Sequence, residues 1–126
     1  LGCAAALAVL DLLEHDNLLA RANALGEQLL ARLQLLAEKY ACIGDVRGLG
    51  FMLAVEILDF ETGKPDAALT QKILDSACQE GLLLIKCGVQ RNVVRFLAPL
   101  VTTDSQLEEA LHIFDIALAR ATGRLG

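Results

Sequence analysis

The chain has 126 residues, 16 acidic and 11 basic, for a formal net charge of −5. A domain of this length hides about two thirds of its unfolded surface; 55% apolar residues and only two prolines exclude disorder. Arginines are scattered through an acidic composition, which excludes nucleic acid and anionic membrane as main partners, because both select a basic patch.

Residues 1–13 carry one charge, Asp11, and the uncharged stretch Leu1–Leu10 is far short of the ~20 residues that span a membrane. No basic segment precedes it, so a signal peptide is not indicated. A helix apolar almost all round belongs inside a larger body. Residues 1–15 therefore read as a connecting helix, and the chain as a fragment from the C-terminal end of a longer one; the plainer alternative is an alanine-rich core helix. A single domain proper is expected over residues 16–122.

Asp16 and Asn17 are good N-caps for a second helix running to about Tyr40. Leu18, Ala22, Leu25, Leu29, Leu33 and Leu36 fall at steps of three or four and draw one stripe along it. A short strand follows near Asp45–Arg47, then a turn at Gly48–Gly50. Phe51–Leu58 reads as a strand with Phe51, Leu53, Val55 and Ile57 on one face. Its other face (Met52, Ala54, Glu56, Leu58) is also mostly apolar, as expected for a strand covered on both sides.

Glu61–Pro65 is turn chemistry. A third helix is expected over about Asp66–Glu80, with Leu69, Ile73 and Ala77 inward and Gly81 ending it. Leu82–Lys86 and Val93–Leu97 read as two strands of a hairpin. Thr103 and Gln106 match a capping box opening a last helix whose buried stripe is Leu107, Leu111, Phe114 and Leu118. The order ααββαββα predicts an α+β domain: a small, mainly antiparallel sheet of three to four strands with helices packed on it.

Most candidate motifs fail. Gly48-Leu49-Gly50 lacks a third glycine and precedes a strand, whereas phosphate binding needs a helix N-terminus. There is no G-x-S-x-G, and Glu108 and Glu109 point in different directions on a helix. Cys3, Cys42, Cys78 and Cys87 are widely spaced, and neither His15 nor His112 stands at ligand spacing from them. No metal site is expected; free thiols fit a reducing cytoplasm. Lys86 reads as a surface lysine, since nothing near it would lower its pKa. Arg47 reads as structural, tying the turn to a nearby carbonyl or acid.

Arg95 is the exception. In Asn92-Val93-Val94-Arg95-Phe96-Leu97-Ala98-Pro99-Leu100 it is one cation in an apolar strand, sharing a face with Val93 and Leu97. Burying a guanidinium is costly without a counter-charge, and its fork fits a carboxylate bidentately. Three readings are open: a salt bridge within the domain, an edge-strand arginine whose head reaches water, or capture of a carboxylate ligand at a domain boundary.

Asp45-Val46-Arg47-Gly48-Leu49-Gly50-Phe51-Met52-Leu53-Ala54-Val55-Glu56, Gly81-Leu82-Leu83-Leu84, Cys87-Gly88 and Asn92–Leu100 together resemble the C-terminal small domain of class III pyridoxal-phosphate aminotransferases, which are fold-type I enzymes. The likeness covers nearly all of residues 1–120. The Cys87-Gly88 loop is most similar to the 4-aminobutyrate aminotransferases; acetylornithine, ornithine and diaminobutyrate aminotransferases share much of the rest. The resemblance implies an enzyme that passes an amino group from 4-aminobutyrate or a related ω-amino acid to 2-oxoglutarate, acting as a cytoplasmic homodimer.

In this family the lysine that holds pyridoxal 5'-phosphate, the phosphate site and the acid pairing the pyridine nitrogen lie in the large domain. No catalytic or cofactor-binding residue is therefore expected in this chain, which alone would be inactive. One residue carries over: Arg95, similar to the arginine that binds the substrate carboxylate. Relatives usually place an aromatic residue and a glycine before the asparagine, where this chain has Gln90 and Arg91, and a small residue at Lys86. A stand-alone module binding a small acid, and a dimerisation domain, are the rival readings.

Overall fold

The computed structural model describes residues 1–123. Four helices and four strands follow the expected order: α1 (Gly2–His15), α2 (Leu18–Lys39), β1 (Ile43–Leu49), β2 (Met52–Ile57), α3 (Ala67–Gln79), β3 (Ile85–Cys87), β4 (Val93–Leu97) and α4 (Asp104–Ala121). The sheet has the order β1-β2-β4-β3, and every neighbouring pair is antiparallel.

Period-2 alternation sends Leu53, Val55 and Ile57 of β2, with Val94 and Phe96 of β4, into one core. The α2 stripe of Ala22, Leu25, Leu29 and Leu33 meets them there, as do Ile73 and Ala77 of α3 and Leu107, Leu111, Phe114 and Leu118 of α4. Phe114 reaches the sheet edge-on, its ring 5.1 Å from that of Phe96 at 87°, the orientation favoured by ring quadrupoles.

Helix ends are closed locally. Asp66 Oδ1 accepts from the Ala68 and Leu69 amides at the start of α3. At its other end Gly81, at φ 94°, lets the Leu82 N–H donate to the Ala77 carbonyl and its own N–H to that of Cys78, a Schellman arrangement. The capping box of α4 forms as expected, with Thr103 and Gln106 bonding reciprocally.

Three expectations are corrected. Asn17 sits at the start of α2 but at φ 50°, and its side chain caps nothing; an N-cap needs extended backbone, and Asn17 makes the tight turn between α1 and α2 instead. The strand expected over Leu82–Lys86 begins only at Ile85, because the Leu82 amide is already engaged by the end of α3. Finally, the helices of this chain pack on one side of the sheet only: on the other, Met52 of β2, Ile85 of β3 and Leu97 of β4 are 51%, 52% and 58% exposed, while Ala54 and Glu56 of β2 are half-buried. Among the described residues, helix α1 buries none of its own side chains, and α2 is the one helix or strand it packs against.

Candidate functional site

The open sheet face carries Arg47 and Arg95, two of the three basic residues that the sequence singled out, but not Lys86. Registration sets Arg47, Ala54, Arg95 and Ile85 in one row across β1, β2, β4 and β3. Asp45, Glu56, Val93 and Cys87 form the next row on the same face. Between these two rows the helix-facing residues are Val46, Val55 and Val94, with Lys86 at the end.

Arg95 is partly buried in the centre of this face. Its Nε is enclosed and has no hydrogen-bond partner, and no carboxylate among the described residues lies within ion-pair distance of it. The strand that carries it is internal, hydrogen-bonded to β2 on one side and β3 on the other, so the edge-strand reading does not hold. A buried guanidinium N–H without an acceptor is costly. A groove of about 630 Å³ runs beside it, with Leu83, Ile85, Leu97, Pro99 and Val101 among its walls. An anion arriving there would meet a cation whose hydrogen-bonding capacity is unspent, between apolar walls that weaken competition from water.

Arg47 differs. Its Nη1 donates to Glu56 Oε2 at 2.9 Å and also to Asp45; the bond to Asp45, then that to Glu56, pushes its pKa up. It ties β1 to β2, as the sequence suggested, through acids rather than a carbonyl. Glu56 also accepts from Asn92 Nδ2 at 3.3 Å. Asn92 is buried and donates again to the Ile57 carbonyl at 3.0 Å. The sequence marked neither Glu56 nor Asn92, although an asparagine at a strand start is a visible signal for a side chain that bonds backbone.

Lys86 turns away from Arg95: its Nζ donates to Gln71 Oε1 of α3 at 2.5 Å. Lys39 bonds Asp115 on α4, and Lys64 and Lys72 are exposed on a turn and on α3. No lysine lines the groove beside Arg95. Among the described residues no three His, Cys, Asp or Glu side chains cluster as a metal site would require, and no helix is long and apolar enough to cross a membrane.

Comparison with known proteins adds the family. The sequence profile of Aminotransferase class-III matches residues 1–118. Over 114 residues the chain is 48% identical to 5-aminovalerate aminotransferase DavT of Pseudomonas aeruginosa and 47% to 4-aminobutyrate aminotransferase GabT of Escherichia coli; each match takes in 90% of this chain and 27% of the relative. The chain thus spans about a quarter of the length of these curated relatives. An amine transaminase from an uncultivated Pseudomonas species, solved in its PLP-bound form, superposes with a TM-score of 0.85 at 37% identity, over 94% of this chain and 27% of that one. An α+β domain with an antiparallel four-stranded sheet, matched by sequence along almost its whole length, belongs to the class III aminotransferase family.

Proposed function

We propose that this chain is the C-terminal small domain of a pyridoxal-phosphate-dependent aminotransferase, residues 16–122 forming the domain and residues 1–15 the helix that connects it to a large domain. In this reading the full-length enzyme moves the amino group of 4-aminobutyrate, or of its one-carbon-longer homologue 5-aminovalerate, to 2-oxoglutarate. Arg95 binds the substrate carboxylate. On the family resemblance, the enzyme is a cytoplasmic homodimer.

The observation that carries the reading is the unpartnered guanidinium of Arg95, held mid-sheet beside an apolar groove on the face that its own helices leave open. The cofactor supplies, when bound, the electron sink that lets nitrogen leave one carbon skeleton for another. This chain's part is different. Arg95 fixes the carboxylate end of the substrate, and the rigid ladder on both sides of β4 fixes Arg95, so the amino end is aimed by geometry. Apolar side chains around the groove keep water from competing for the guanidinium. A free-standing acid-binding module is disfavoured by the same open face: half of the enclosure is missing.

Replacing Arg95 in the full-length enzyme tests this. Arg95→Gln removes charge-assisted hydrogen bonds of about 1.5–3 kcal/mol each, so KM for 4-aminobutyrate and 2-oxoglutarate should rise by about one to two orders of magnitude. The half-reaction with butylamine alone, followed as a single turnover without the 2-oxo acid, should change little because this amine has no carboxylate. Unchanged KM values for both carboxylate substrates would refute the assignment.

A further inference from the structure

Arg95 shares the open face with a second arginine and two acids, and the strand register decides which of them can meet. Arg47 and Arg95 flank Ala54 in one row, so their backbones stand about 10 Å apart, two strand spacings. Glu56 is two residues along β2 from Ala54 and on the same face. It is therefore diagonal to both arginines, at roughly 7–8 Å, a gap that long side chains bridge. One carboxylate thus has two cations within reach.

Only one of them holds it. Glu56 Oε2 accepts from Arg47 at 2.9 Å and Oε1 accepts from Asn92 at 3.3 Å, so both oxygens are engaged. Asn92 is itself fixed by its second bond, to the Ile57 carbonyl. Asp45 adds a second acid to Arg47 and balances the cation there, yet Glu56 still faces Arg47 and leaves Arg95 bare.

We propose that Arg47 and Asn92 are positioning residues that keep Glu56 from closing on Arg95 and so hold that guanidinium open for a carboxylate ligand. The inference rests on the reading of Arg95 as carboxylate anchor. Released from its two partners, Glu56 would be a tethered competitor. The ligand would find Arg95 competent only for the fraction of time Glu56 is away, which weakens apparent affinity without altering the chemical step.

The full-length holoenzyme, assayed with 4-aminobutyrate and 2-oxoglutarate, distinguishes the outcomes. Arg47→Gln should raise both KM values about fivefold, the scale of one exposed ion pair, with kcat little changed. Arg47→Lys, which keeps a cation on Glu56, should restore the parental KM, and so should adding Glu56→Gln to Arg47→Gln. If Arg47→Gln does not fold, Asn92→Ala frees the other oxygen, and its KM rise should likewise be reversed by Glu56→Gln. A rise that Glu56→Gln leaves in place, or no rise in either variant, overturns the proposal. Arg95→Gln run in parallel separates the two ideas: if it leaves KM unchanged the anchor fails, and if it alone raises KM only the positioning role fails.

Discussion

Arg91 adopts the left-handed conformation, φ 55°, one residue before Asn92, and its N–H closes the turn onto the Gly88 carbonyl at 3.0 Å. A residue with a Cβ is strained there by about 1 kcal/mol. Arg91→Gly should raise stability by about 0.5–1 kcal/mol, the relief being partly offset by the freedom of glycine in the unfolded chain. The measurement is a higher urea midpoint at unchanged m; a lower midpoint would mean that the arginine side chain contributes more than its backbone costs. Residues of this kind differ in how legible they are. Arg95 stood out because one cation interrupts an apolar strand. Glu56 did not, because its partners Arg47 of β1 and Asn92, just before β4, meet it only through register, which includes an irregularity between Ile43 and Asp45.

Elements follow the same division. The leucine spacing of α2 gave its buried stripe but passed over Gly26, which is also buried. A Cβ built at Gly26 would stand 2.0 Å from the Gly50 carbonyl oxygen, so α2 and the β1–β2 turn touch backbone to backbone. Gly26→Ala should therefore destabilise by about 1–3 kcal/mol, although alanine favours a helix interior by about 1 kcal/mol. Thermal unfolding checks this, and an unchanged Tm would show that α2 can shift outward without loss. The helix cap at Thr103 was legible because capping chemistry is local. The start of β3 was not, since the end of α3 first engages Leu82. The bare face of β2 was also hidden: Met52, Ala54 and Leu58 look alike whether the layer that covers them belongs to this chain or to another.

For the molecule as a whole, α2 and α4 are laced together by charges. Arg32 meets Glu108 at 2.9 Å, while Lys39 and the Tyr40 hydroxyl both donate to Asp115, at 2.7 and 2.6 Å. Burial alone would raise the Asp115 pKa, but the bonds from Lys39 and then Tyr40 outweigh it and hold the carboxyl below the usual 3.8. Asp59 is lowered too, first by the Thr62 amide and then by the Thr62 hydroxyl. A folded pKa below the unfolded one gives stability that is fully present above the unfolded value and is lost as pH falls through the folded one. Stability should therefore be flat with respect to these two groups from neutral pH down to about 5 and decline below about 4. Asp115→Asn should make that decline shallower; an equally steep decline would remove Asp115 from the account. The α+β class and the element order were legible at this scale, because alternation and helical spacing are properties of the chain itself. The strand order was not, since nothing local brings β4 between β2 and β3.

That order has a kinetic consequence. The β1–β2 and β3–β4 pairs are hairpins closed by short loops, whereas β2 and β4 come from opposite halves of the chain and join only when the whole excursion through α3 has folded back. Closing the longer loop carries the larger entropic cost and brings no reward until the strands dock. The two hairpins should therefore form first, Arg47 in one and Arg95 in the other, and on the proposed role of Arg95 the face that would hold a carboxylate is completed only at the final joining step.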